Sequence, residues 1–201
     1  MTGVQTCALP ISYLSAGRLD QAVPLFEQTL TDREHLLGPD HPDTLTSRNN
    51  LAAAYQAAGR LDQAIDLLEQ NLADCERVLG PNHPNTLTSR GNLAAAYQDA
   101  GKLKQAIDLH ERTLTDRERV LGPDHPHTLT ARDGLAAAYQ AASRLDQAID
   151  LLEQNLADYE RVLGPDNPDT LASQGSLAAA YQAASRLDQA VPNLTDRKSV
   201  V

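Results

Sequence analysis

His41, His83 and His125 recur at one fixed step along the chain, an arrangement that raises metal ligation as the first chemistry to consider. Packed helices put equivalent atoms of neighbouring units roughly 10 Å apart, whereas zinc ligands sit about 2 Å from one shared ion. These histidines therefore read as helix-start residues, and Asn167 at the fourth copy fits because it can cap a helix without an imidazole. Asp and Glu total 27, but Asp62, Asp66, Glu69, Asp74 and Glu76 fall on a solvated helix face. A catalytic carboxylate pair needs an enclosed site to separate its two pKa values, and nothing in the sequence builds one. Cys75 has no repeated His or Asn partner, so burial explains it better than nucleophilic activation. Neither G-x-x-x-x-G-K-[ST] nor G-x-G-x-x-G occurs. The expectation is a protein that is not an enzyme and needs no cofactor or metal.

The remaining chemistry is that of amides. Thr46, Asn49, Asn50, Ala53, Gln56 and Ala57 fall at helical spacing on one face, beside an apolar one. The next copies are Thr88, Gly91, Asn92, Ala95, Gln98 and Asp99, then Thr130, Asp133, Gly134, Ala137, Gln140 and Ala141. Asn and Gln offer donors and acceptors together, which suits the main chain of an extended peptide. Asp99 and Asp133 would add a preference for Lys or Arg in that ligand. The candidate peptide-binding residues are thus Thr46, Asn49, Asn50, Gln56, Thr88, Asn92, Gln98, Asp99, Thr130, Asp133 and Gln140.

These residues must be held by a repeating framework. Tyr13, Tyr55, Tyr97, Tyr139 and Tyr181 follow one another at a step of 42, as do Gly38-Pro39, Gly80-Pro81, Gly122-Pro123 and Gly164-Pro165. Each unit holds a helix A starting at a proline, where the missing N–H costs nothing, and ending before Gly59, which can turn left-handed. Leu61, Ala64, Ile65, Leu68, Leu72, Cys75, Val78 and Leu79 then mark a helix B that stops at Gly80-Pro81. Helix A is expected over Pro42–Ala58 and helix B over Leu61–Leu79, joined by a turn short enough to make them antiparallel. Three pairs follow (42–79, 84–121, 126–163), preceded by a helix B at 19–37 and followed by a helix A at 168–184 and a truncated helix B at 187–191. One pair alone leaves an apolar face uncovered, so neighbouring pairs must stack. The fold class expected is all-α, a right-handed α-solenoid of stacked antiparallel helix pairs.

A formal charge of -10 disfavours phosphate backbones and anionic lipid as partners, and no apolar run reaches the length of a membrane span. Cys7 and Cys75 make no disulfide framework, so a reducing, cytoplasmic setting is expected. The opening MTGVQTCALPI (1–11) and the closing RKSVV look like translated sequencing-adaptor read-through. Residues 1–11 are accordingly expected to be a non-native or disordered leader and 192–201 a non-native or frayed tail, with the solenoid over 12–191 belonging to a longer protein.

Leu51-Ala52, Tyr55, Gly59, Ala64 and Leu68 resemble the tetratricopeptide repeat (TPR), and the long second helix ending in LGPDHP with TSRNNLAAAY resembles its 42-residue kinesin light chain form, also found in bacterial regulatory proteins. The resemblance implies a protein-binding scaffold whose A helices line a concave groove, and it implies that a nucleotide-hydrolysing domain can accompany the array. Arg48, Arg90, Arg132 and Gln174 depart from the pattern at positions usually apolar; their stems are expected to cover the core while their heads reach solvent. Ser143 and Ser185 replace the turn glycine, and Pro24 should bend the first helix B. The function expected is capture of a protein or peptide, basic by preference, in the A-helix groove. The alternative is end-to-end self-association without a specific ligand.

Overall fold

The computed structural model describes residues 8–184. Among them are nine helices and no strand: α1 Ala8–Ser15, α2 Leu19–Leu37, α3 Pro42–Ala57, α4 Leu61–Leu79, α5 Pro84–Asp99, α6 Leu103–Leu121, α7 Pro126–Ala141, α8 Leu145–Leu163 and α9 Pro168–Ala183. Helices α2 and α4 span the residues that the periodicity marks, and α3 and α9 end one residue early. Helix α1 begins inside the segment set aside as a leader, α2 continues unbroken through Pro24, and the truncated helix B and Ser185 lie outside the described residues.

Helix A begins the same way each time. His41 is extended, its Nδ1 accepts the Asp43 N–H at 3.1 Å, and Pro42 occupies the first turn. The histidines thus act as caps, supplying one of the orphan donors of the helix terminus with an acceptor. A buried threonine then ties the preceding loop to the helix. Thr44 Oγ1 donates to the Gly38 carbonyl at 2.8 Å, and Thr86, Thr128 and Thr170 repeat the bond to Gly80, Gly122 and Gly164. At the other end, Gly59 takes φ 72°, and the N–H of Arg60 reaches the Tyr55 carbonyl at 2.8 Å. Ser143 adopts φ 59° to keep the same turn, at a strain of about 1 kcal/mol.

The chain forms two compact units that divide within α6, between Leu109 and His110. In the first, α3 packs on α2, α4 and α5, and α4 packs on α5. Ala52, Ile65, Leu68, Leu93, Ala96, Tyr97 and Ala106 form one continuous cluster, and Ala22, Val23, Phe26, Leu30, Leu51 and Ala54 another. Small Ala52 and Ala54 are fully buried, which permits the close helix approach. Each buried leucine of this kind contributes roughly 1.5–3 kcal/mol.

In the second unit α8 packs on both α7 and α9, around Ala136, Ile149, Leu152, Leu156, Leu177, Ala180 and Tyr181. A Cβ added at Gly134 would lie 2.9 Å from Cε1 of His110, so the glycine makes room for an imidazole where two other copies carry leucine, Leu68 and Leu152. Burial pushes His110 down to about 4, with help from the Arg117 charge.

The arginines at usually apolar positions correct the expectation. Arg48, Arg90 and Arg132 are buried, and their guanidinium groups turn to carboxylates of neighbouring helices rather than extending outward. Arg48 holds Glu34 at 2.9 Å and Asp74 at 2.7 Å, Arg90 holds Glu76 at 3.0 Å, and Arg132 holds Glu118 at 3.0 Å and Asp158 at 2.5 Å. Burying an unpaired guanidinium is too costly, so each comes with a carboxylate donated by a neighbouring B helix. Arg77 extends one network to Asp40, and Arg161 the other to Asp124.

Candidate functional site

The predicted stripe lies along the A helices, and its pattern of exposure follows the helical period. In the first unit Thr46, Ala53 and Ala57 of α3 are exposed and Asn49, Asn50 and Gln56 half-buried. On α5, Thr88, Ala95 and Asp99 are exposed and Gly91, Asn92 and Gln98 half-buried. Because α3 and α5 pack side by side, the two stripes adjoin. Gln56 Nε2 donates to Asp99 Oδ2 at 3.1 Å across 43 residues of sequence, joining the stripes directly. Thr46 Oγ1 donates to its own helix, to the Pro42 carbonyl at 2.9 Å.

Helix α4 lies against both A helices and supplies buried polar groups that the periodicity did not single out. Asn71 is wholly buried and donates through Nδ2 to Ser89 Oγ on α5 at 3.2 Å. Cys75 is also wholly buried, and burial pushes its thiol up to about 11, as befits a packing residue rather than a nucleophile. Cys7 lies outside the described residues.

In the second unit Thr130 is exposed, Gln140 half-buried, and Asp133 half-buried with both oxygens engaged. Oδ1 accepts from Asn155 Nδ2 at 2.8 Å and Oδ2 from the Tyr159 hydroxyl at 2.9 Å. Burial raises the Asp133 pKa, while those two hydrogen bonds pull it back. The two carboxylates of the stripe therefore differ: Asp99 faces solvent at the end of α5, and Asp133 is held inside its own helix pair. Tyr159 was the missing signal, because its role depends on a partner 26 residues earlier on another helix.

Among the described residues no group of three or more His, Cys, Asp or Glu side chains is placed to hold a metal ion, and no helix is long and apolar enough to cross a membrane. The sequence matches the tetratricopeptide repeat family over residues 11–73, 48–118, 91–157 and 132–197. The chain belongs to the tetratricopeptide repeat family. A candidate kinesin light chain of Podosopora anserina with nearly identical TPR-like repeats is 35% identical, with 98% of this chain and 96% of that one covered at a TM-score of 0.80. A variant of the same repeats gives 34% identity, 96% and 92% coverage and a TM-score of 0.83. BtubC (BKLC) from P. vanneervenii shares the fold at 23% identity, covering 96% of this chain and 76% of that one with a TM-score of 0.80. A Rap protein complexed with Competence and Sporulation Factor shares the TPR fold at 11% identity and a TM-score of 0.74, covering 91% of this chain and 49% of that one. A search of curated protein sequences finds no match. TPR arrays commonly mediate protein–protein interaction, and the fold is that of a binding scaffold.

Proposed function

We propose that this TPR array captures an extended protein or peptide segment on the polar stripe of its A helices, as a non-catalytic module of a regulatory protein of the bacterial type. The observation that carries the reading is the adjoining pair of half-buried amide rows on α3 and α5, bridged by Gln56 and Asp99. Half-buried amides are ordered by their surroundings yet keep hydrogen-bonding capacity for a main chain, which lowers the entropic cost of binding. Within the second unit Thr130 is exposed and Gln140 half-buried at the matching positions of α7. Exposed Asp99 and a formal charge of -10 favour a ligand carrying Lys or Arg. A reducing cytoplasmic setting suits the free thiol of Cys75.

The test is selection of displayed random peptides on the whole chain, followed by titration of a selected peptide against Asn50→Ala/Asn92→Ala/Gln98→Ala. Helicity should be kept while affinity falls at least tenfold, and Asp99→Asn should weaken Lys- or Arg-containing peptides only. Unchanged affinity in the triple variant would move the site elsewhere. Growth in light scattering with concentration, with no peptide recovered, would favour self-association instead.

A further inference from the structure

The geometry points to a proton-sensitive cap on three of the four A helices between α3 and α9. His41, His83 and His125 each present an unprotonated Nδ1 that accepts a backbone N–H, from Asp43 at 3.1 Å, Asn85 at 3.2 Å and His127 at 3.1 Å. That bond exists only for a neutral ring protonated at Nε2. An imidazolium has no acceptor to offer, and its charge would lie at the positive end of the helix dipole. Proton uptake therefore both removes the cap and repels the helix start. The donor concerned has no intrahelical partner, so nothing within the helix replaces the lost acceptor.

The fourth A helix has the same backbone without the sensor. Asn167 is extended at φ -68° and ψ 138°, as His41 is, and its Oδ1 accepts the Asp169 N–H at 2.9 Å. An amide does not titrate in this range, so α9 keeps its cap when the others lose theirs. The charges around the three rings differ and grade the response. The Asp43 carboxylate lies 3.9 Å from His41 Nδ1 and offsets the loss there, while the adjacent Asp40 is held by Arg77 of α4. His83 is flanked by Asn82 and Asn85, which carry no charge. His125 has the His127 ring at 5.3 Å, a second group of like charge once both take up protons, and the adjacent Asp124 is held by Arg161 of α8. Thr46, Thr88 and Thr130 lie in the following turn, so the fraying begins at one end of the amide stripe.

The experiment is residue-resolved NMR on the full chain between pH 8 and pH 5, following ring resonances and the amides of Asp43, Asn85, His127 and Asp169. Reading individual amides keeps the buried His110 out of the measurement. As each ring takes up its proton, exchange protection of its amide relative to Asp169 should fall roughly five-fold, the factor equivalent to a cap of about 1 kcal/mol. His83→Asn should hold the Asn85 amide constant over the range, and Asp43→Asn should enlarge the drop at His41. A ring that titrates without moving its amide, or an Asp169 amide that moves equally, would overturn the proposal.

Discussion

Cys75 in the first unit and Tyr159 in the second stand at the same position of the repeat, two repeats apart, and their neighbourhoods differ in what they leave available. Around Tyr159 a carboxylate of the stripe is drawn inward, held by a phenol and by Asn155. Around Cys75 no such hydroxyl exists; the stripe residue is Asn49, and the acidic group of that unit is Asp99, exposed at a helix end. The same period that makes the units alike in backbone thus leaves single positions to decide whether a polar group serves packing or faces outward. A second difference runs parallel to it. Leu68 in the first unit is buried apolar volume, whereas His110 in the second is a buried base seated against Gly134.

The largest effect expected from these differences is on acid stability. His110 falls from its ordinary 6.5 to about 4 on folding, so it contributes stability that is present above pH 6.5 and is lost as pH drops toward 4. A depression of that size corresponds to about 3 kcal/mol. Urea denaturation followed by circular dichroism at pH 7 and pH 4.5 should show this slope, and His110→Leu should remove most of it. An unchanged slope would assign acid sensitivity to other groups.

Glycines sharpen the same contrast at smaller scale. Gly134→Ala should destabilise by roughly 1–3 kcal/mol through overpacking against His110. Gly175→Ala, also helical but with open space at its Cβ, should stabilise by up to about 1 kcal/mol through helix propensity. Thermal denaturation of the two variants should therefore shift in opposite directions; equal shifts would mean that the tight contact is relieved by movement of the ring. Smallest in stability is Tyr159→Phe, at about 1 kcal/mol for one hydrogen bond. Its sharper readout is the carboxyl resonance of Asp133, whose raised pKa should climb further once a stabilising donor is gone.

Much of the framework was legible because it rests on local rules repeated at one step. Proline starts, left-handed turn residues and apolar spacing gave the bounds of α2 and α4 and the starts of α3 and α9, with each of the latter two ending one residue sooner. Stripe exposure was legible for the same reason, since Thr46 and Thr88 point outward by helical geometry alone. What spacing concealed was pairing between helices. Arg48 read as a solvent-seeking departure because its partners, Glu34 and Asp74, stand 14 residues before and 26 after it. That offset recurs for Arg132 with Glu118 and Asp158, so constancy of carboxylate offset around a misplaced arginine was the available signal. The bonds of Asp133 to Asn155 and Tyr159 were hidden on similar grounds, because Tyr159 differs from its counterparts and no repetition marked it.

The threonine bond from the first turn of each A helix back to the glycine six residues earlier has a consequence for how such a gene grows or shrinks. Closing a small ring across the junction, with the same two residue types at every copy, it makes all junctions interchangeable. Recombination that joins Asn82 to His125 would still place a threonine, Thr128, six residues beyond Gly80. Whole cassettes can therefore be lost or duplicated there without leaving a scar in the backbone.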